Sequence, residues 1–197
     1  DAYWRTRLPR LGKDEPKLYA DMQRGMQQTG ARFLVVSDIR DCFPSAPVDA
    51  VLECHRRHFS NEDLLWLIET IVRGHEGLGH TTGLYQGSPY SPVAMELLLH
   101  SCIDARFGTR YRTIPFLLRY ADNLNVVCRS EREGREALRF CEGILGDLNF
   151  SLKPERPPMD SPMDLRRQHP SRKVLGLNPS WRNGQLHFAI PETAFTD

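Results

Sequence analysis

Two short apolar runs rich in β-branched residues close on aspartates, and that placement limits the folds open to this chain. Arg32–Ile39 (RFLVVSDI) is too short for a core helix and reads as a buried strand ending near Asp38. Thr113–Tyr120 and Leu124–Arg129 read as the strands of a hairpin, with Ala121-Asp122-Asn123 at the bend. A carboxylate fused to buried strand residues is costly to desolvate alone, so each aspartate needs a partner. If the first strand lies beside the hairpin, Asp38 and Asp122 meet at one sheet edge. Hard divalent cations such as Mg²⁺ take oxygen ligands of this kind. Two cations clamped by carboxylates can serve an in-line phosphoryl transfer. The same placement also suits an aspartate that merely caps a turn, and spacing alone does not separate the two readings.

The remaining chain is mostly helical punctuation around these strands. A helical pattern from Pro16 ends at Gly30, and a second covers Val48–His58. Ser60 is placed to cap Asn61–Arg73, with Asp63 at N3. Gly74–Ser88 is glycine-rich and reads as a loop. Ser91-Pro92 then opens an apolar helix through about Ala105, and Ser130 caps another to about Asp147. Phe150–Leu152 reads as a short strand. Lys173–Leu177 and Gln185–Ile190 read as a second hairpin around Arg182-Asn183-Gly184. The order α–β–α–α–α–β–β–α–β–β–β predicts an α+β fold, an antiparallel sheet with helices packed on one face.

Bulk composition excludes more than it selects. The length of 197 residues suits one domain or one and a half, and 40% hydrophobic with 26% charged residues is ordinary for a globular protein. No apolar run approaches the ~20 residues that span a bilayer. The polar, basic start DAYWRTRLPR is not a signal peptide, and the absence of an initiator Met marks the chain as a candidate fragment. Net charge is only +1. Basic residues gather locally, in Arg5–Lys13 and Arg166–Lys173, where solvated loops are the ordinary reading and phosphate contact the alternative. Five cysteines (Cys42, Cys54, Cys102, Cys128, Cys141) form no CxxC pair and read as reduced, buried thiols. Cys54, His55 and His58 lack a second ligand pair at zinc-finger spacing, so a solvated helix end is expected there. Leu65, Trp66 and Ile68 read as a packing face.

A run of motifs in order then resembles a known family. Ser37-Asp38-Ile39-Arg40-Asp41-Cys42-Phe43 resembles the first palm motif of reverse transcriptases, an Asp followed five residues later by an aromatic. Gly83–Pro92 (GLYQGSPYSP) resembles the second, Arg119-Tyr120-Ala121-Asp122-Asn123 the third, Leu148–Pro157 the fourth, and Val174-Leu175-Gly176-Leu177 the primer-grip hairpin. Each motif alone is modest, and five in the right order carry the weight. The spellings are similar to those of bacterial enzymes of the group II intron, retron and defence-associated kinds, which implies a bacterial cytoplasmic setting.

The resemblance implies a polymerase palm with part of the fingers. It divides the chain into an N-terminal segment with partial fingers (1–30), a palm with fingers-derived helices (31–180), and the end of the primer-grip hairpin leading to a missing thumb (181–197). It implies an RNA-directed DNA polymerase that joins deoxynucleotides to a primer 3′-hydroxyl on an RNA template, with a DNA or RNA primer and two Mg²⁺ ions, or Mn²⁺ in their place. Asp38 and Asp122 would hold the metals, helped by Asn123 and the Ile39 carbonyl. Phe43 would lie beneath the sugar and exclude a 2′-hydroxyl. Gln86 and Gly87 would contact nucleotide and template, where glycine permits close backbone approach. Arg40, Asp41 and Arg156 would lie near the triphosphate, and Leu175 and Gly176 near the primer.

Three departures stand out. Asn123 replaces the second Asp of the third motif; its amide oxygen can ligate but carries no charge. Arg156 replaces a lysine thought to protonate pyrophosphate, and arginine is a poor general acid; Lys153 is the nearby substitute. Glu96 stands where bacterial members usually carry Asn. A complete fingers and thumb are not recognisable, so other segments or a partner protein are expected to supply them. Two further readings stay open: a catalytically silent module that binds RNA or protein, and a template-independent nucleotidyl transferase.

Overall fold

β1 (Phe33–Asp38) is central because its alternating apolar residues have cover on both sides. It pairs antiparallel with β3 (Asn123–Cys128) along its whole length, from Phe33 opposite Cys128 to Asp38 opposite Asn123. β2 (Phe116–Tyr120) adds to the outer edge of β3, and the short β4 (Met163–Asp164) to that of β1, giving the order β2-β3-β1-β4. This computed structural model describes residues 15–157, 161–167 and 173–190. The basic stretch Arg5–Lys13, part of Arg166–Lys173 and residues 191–197 of the C-terminal segment lie outside them.

Helices follow the expected order. They are α1 (Glu15–Thr29), α2 (Val48–His58), α3 (Glu62–Arg73), α4 (Ser91–Leu99), α5 (Ala105–Arg110) and α6 (Glu131–Gly146). A single π-helical turn, His100–Asp104, joins α4 to α5, and a 3₁₀ segment, Gly74–Gly79, follows α3. One sheet face packs on α4, α5 and α6 through Leu124, Val126, Leu99, Ile103, Ala137 and Leu145. The other meets α1 through Met22, Met26, Leu34 and Val127. Gly134 lets α6 approach the sheet closely, since a Cβ there would sit 2.7 Å from Cys128 Sγ and closer still to Val35.

Several local expectations change. Asn61, not Ser60, caps α3: its side chain accepts the Leu64 amide at 2.8 Å. The first apolar helix does not stop near Ala105, because the π turn carries it on to Arg110. Phe150–Leu152 supplies only one bridge, Leu152 with Ile39. The C-terminal hairpin is β5 (Asn178–Arg182) with β6 (Gln185–Ala189), turning at Asn183-Gly184; Arg182, read as part of the turn, pairs with Gln185 in the strand. Val174–Leu177 instead closes its own tight turn, with Leu175 at φ 47° and Gly176 at φ 92°. Cys54 and His55 are buried rather than solvated. The His55 ring joins the Val51 carbonyl at 2.7 Å and Tyr90 Oη at 2.9 Å. Trp66 is 69% exposed and does not join the packing face that Ile68 makes. All five cysteines are free, and all but the half-buried Cys102 are buried.

Candidate active site

The β1–β3 pairing ends with Asp38 opposite Asn123. One step further, the Ile39 amide donates to the Asp122 carbonyl at 3.0 Å. The two aspartates, 84 positions apart by number (122 less 38), are thus tied at one sheet end by main-chain bonds. The bend holds only two residues, Ala121 and Asp122, because Tyr120 pairs with Asn123. Asn123 is therefore the first residue of β3 rather than part of the bend. Ala121 takes φ 50°, a region where a Cβ costs about 1–2 kcal/mol. The Asn123 amide donates from Nδ2 to Asp122 Oδ1 at 3.2 Å, so it steers the neighbouring carboxylate.

The fourth-motif segment runs along the other flank of Asp38. The Arg40 amide donates to the Ser151 carbonyl at 2.8 Å, and the Lys153 amide donates to the Asp38 carbonyl at 2.8 Å. Lys153 Nζ then lies 3.8 Å from Asp38 Oδ2, with the Asp38 side chain 27% exposed. Of the two bases weighed for this segment, Lys153 is thereby set beside Asp38, while Arg156 is exposed three positions on. Arg40 and Asp41 are exposed on the turn after β1, where Asp41 takes φ 44° and its carbonyl accepts the Ser45 amide at 2.8 Å.

Phe43 packs half-buried on the main core. Its carbonyl accepts the Leu84 amide at 2.9 Å, which joins the first motif to the glycine-rich loop of the second. That loop is well braced. Tyr85 stacks on His80 with ring centroids 4.7 Å apart and donates to the Arg73 carbonyl at 3.2 Å. Ser91 Oγ donates to the Tyr85 carbonyl at 2.7 Å. Gln86 and Gly87 stand exposed beyond it. Gly87 takes φ 88°, a conformation that favours glycine, and a Cβ there would meet nothing within 4 Å among the described residues. Leu175 and Gly176 lie with the second core cluster, where Tyr19 Oη donates to the Leu175 carbonyl at 2.8 Å.

Sequence reading missed a buried charge cluster behind the bend. Arg119, with a side chain 2% exposed, is bound by Glu96 of α4 and Asp104 of the π turn. Burial pushes the Asp104 carboxyl up, but the charge and hydrogen bonds of Arg119, with His100, hold it below the ordinary carboxylate value. Glu96, unexplained by sequence, is thus an arginine ligand. Nearby, burial first and the Asp122 charge second push the Cys42 thiol up to about 12. It is neutral at pH 7 and offers no nucleophile.

The donor set suits a hard divalent cation. Asp38 and Asp122 lie at one end of the sheet, with Asn123 opposite Asp38 and Ile39 bonded to Asp122 through the main chain. Among the described residues no group of three or more His, Cys, Asp and Glu side chains gathers at metal-holding geometry. Mg²⁺ is commonly held by one or two carboxylates completed by water and substrate phosphates.

Comparison with known proteins shows the family and the fold. A model of the family described as reverse transcriptase (RNA-dependent DNA polymerase) matches residues 6–178. No curated protein matches the chain. Among solved structures, telomerase from Candida albicans in complex with a TWJ fragment of telomeric RNA aligns at TM-score 0.62 and 12% identity, over 90% of this chain and 34% of that one. An apo telomerase from Candida tropicalis, truncated from its C-terminal domain, aligns at TM-score 0.57 and 10% identity, over 90% of this chain and 40% of that one. The chain therefore spans about a third of the first relative's length, and at these identities the likeness is one of fold. On the span of the family match, the chain belongs to the reverse transcriptase (RNA-dependent DNA polymerase) family.

Proposed function

We propose that this chain is the palm, with part of the fingers, of an RNA-directed DNA polymerase. The reading rests on one observation above the others: Asp38 and Asp122 are held at the same end of one sheet by the Ile39–Asp122 main-chain bond of 3.0 Å. Divalent cations bound there would acidify a primer 3′-hydroxyl and neutralise the leaving pyrophosphate. The chain's own groups supply position. Asp38 and Asp122 provide the charge, the Ile39 carbonyl an additional oxygen, and Asn123 orients Asp122. Lys153, beside Asp38, offers the leaving phosphates a cation, with Arg40, Asp41 and Arg156 flanking the triphosphate. Phe43 supports the sugar, and Gln86 and Gly87 sit where base and template would pass. Leu175 and Gly176 would meet the primer, with the remaining fingers and thumb supplied by other segments or a partner.

The motif spellings favour a bacterial intron, retron or defence relative, working in the cytoplasm; among the described residues no helix is long and apolar enough to cross a membrane. Asn123 favours one rival, a silent module that binds RNA or protein. Primer extension by the intact protein separates the readings. Template-copying incorporation that needs Mg²⁺ or Mn²⁺ and vanishes in Asp38→Ala and Asp122→Ala is expected. Untemplated tailing would point to a terminal transferase, and no incorporation under any cation to the silent module.

A further inference from the structure

The bend that carries Asp122 opens on an exposed Ala121 at φ 50°, yet the Arg119 side chain two residues before it is buried. Arginine has five N–H donors fixed in one plane. At Arg119 all five are used. Nε donates to Asp104 Oδ1 at 3.0 Å and, bifurcated, to Oδ2 at 3.2 Å. Nη2 donates to Asp104 Oδ2 at 2.8 Å and to Glu96 Oε1 at 2.5 Å. Nη1 donates to Glu96 Oε2 at 2.8 Å, and its last hydrogen goes to the Ala121 carbonyl at 2.9 Å. That final acceptor is the first residue of the bend itself.

The anchor explains the π turn. Glu96 and Asp104 are eight residues apart, which on a continuous α-helix at about 100° per residue places them about 80° out of phase. One inserted π turn absorbs about one residue and reduces the offset to about 20°. Both carboxylates then reach the same guanidinium. His100 Nδ1, 3.4 Å from Asp104 Oδ2, backs the arrangement from within the π turn.

We propose that Arg119 is a positioning residue: its buried guanidinium, anchored on Glu96 and Asp104, grips the Ala121 carbonyl and so fixes the bend that presents Asp122. The functional half of this claim rests on the reading of Asp122 as a cation ligand; the mechanical half does not. A lysine carries three donors on a single nitrogen and no planar fork, so it cannot reproduce the bonds that Arg119 makes to two carboxylates and a carbonyl.

The test is amide hydrogen exchange, resolved by residue, together with primer extension at graded Mg²⁺. The Ile39 amide, bonded to the Asp122 carbonyl, reports on the bend; Leu34 and Val127 report on the far end of the same strands. In Arg119→Lys the Ile39 amide exchanges about tenfold faster or more while Leu34 and Val127 stay within about twofold, the signature of local opening. The Mg²⁺ needed for half-maximal incorporation rises in parallel. Glu96→Gln, which keeps the Asp104 and Ala121 bonds, gives an intermediate acceleration at Ile39 and decides the matter if Arg119→Lys does not fold. An unchanged Ile39 rate, or equal acceleration of all three amides, overturns the proposal. Local loosening with an unchanged Mg²⁺ requirement, or with no incorporation even in the unsubstituted protein, removes the cation role of Asp122 and leaves the brace standing.

Discussion

Asn123→Asp separates the charge of this site from its shape. Asn123 now gives Asp122 Oδ1 a hydrogen bond of 3.2 Å. An aspartate in that place removes the bond, worth about 1 kcal/mol. It also sets a second negative charge at contact distance. Two unit charges 4 Å apart repel by about 1 kcal/mol in water and about 4 kcal/mol near a protein surface. Both residues are half-buried, so a total loss of roughly 2–5 kcal/mol is expected without cation. For a chain of this size that lowers Tm by about 4–20 °C.

The sign reverses when cation is added. A third carboxylate raises Mg²⁺ affinity, and stabilisation by a ligand grows as RT ln(1 + [L]/Kd), about 2.7 kcal/mol at a hundred times Kd. Thermal unfolding in a chelator and in a Mg²⁺ series measures both effects. The variant should melt below the parent in chelator and gain more from Mg²⁺. Equal melting in chelator combined with an equal Mg²⁺ response would refute the placement of Asn123 beside Asp122 at a cation site.

Gly134→Ala forces a Cβ against Val35 and Cys128 at the α6–sheet contact; denaturant unfolding should show a loss of about 1–3 kcal/mol. His55 is held neutral chiefly by burial, so its pKa is depressed. Its contribution is complete above its unfolded pKa and lost as pH falls through the lower folded value, and His55→Gln should flatten the stability–pH curve below about pH 6.5. Burial pushes the thiols of Cys42, Cys128 and Cys141 up to about 12. A thiol-specific reagent at pH 7 should leave them unmodified until the protein is unfolded; rapid native labelling of any of the three would contradict their burial.

What could be read ahead of the structure was whatever local chemistry decides. β1 and β3 were legible because β-branched runs bounded by turn residues have few other destinations, and Asp38 and Asp122 followed from their ends. The bend was misjudged by one residue because Asn123 tolerates a turn and a strand equally. Only its pairing with Asp38 selects the strand, and that partner is far away in sequence. Ser60 and Asn61 are both good caps, and a hydrogen bond to Leu64 chose between them. At Val174–Leu177 the deciding feature is a leucine at φ 47°, which no propensity favours and which the Tyr19 hydroxyl helps to hold.

The support behind the site was illegible for a related reason. Arg119 lies in a strand of apolar neighbours, Glu96 in an apolar helix and Asp104 five residues beyond that helix. Each taken alone is a charge in an unfavourable place. Together they satisfy one another, and only the π turn brings the two acids into phase. Charges that conflict with their local pattern are therefore better searched for as a set than singly. In this chain two such acids hold the arginine that donates to the Ala121 carbonyl, next to the Asp122 proposed as a cation ligand.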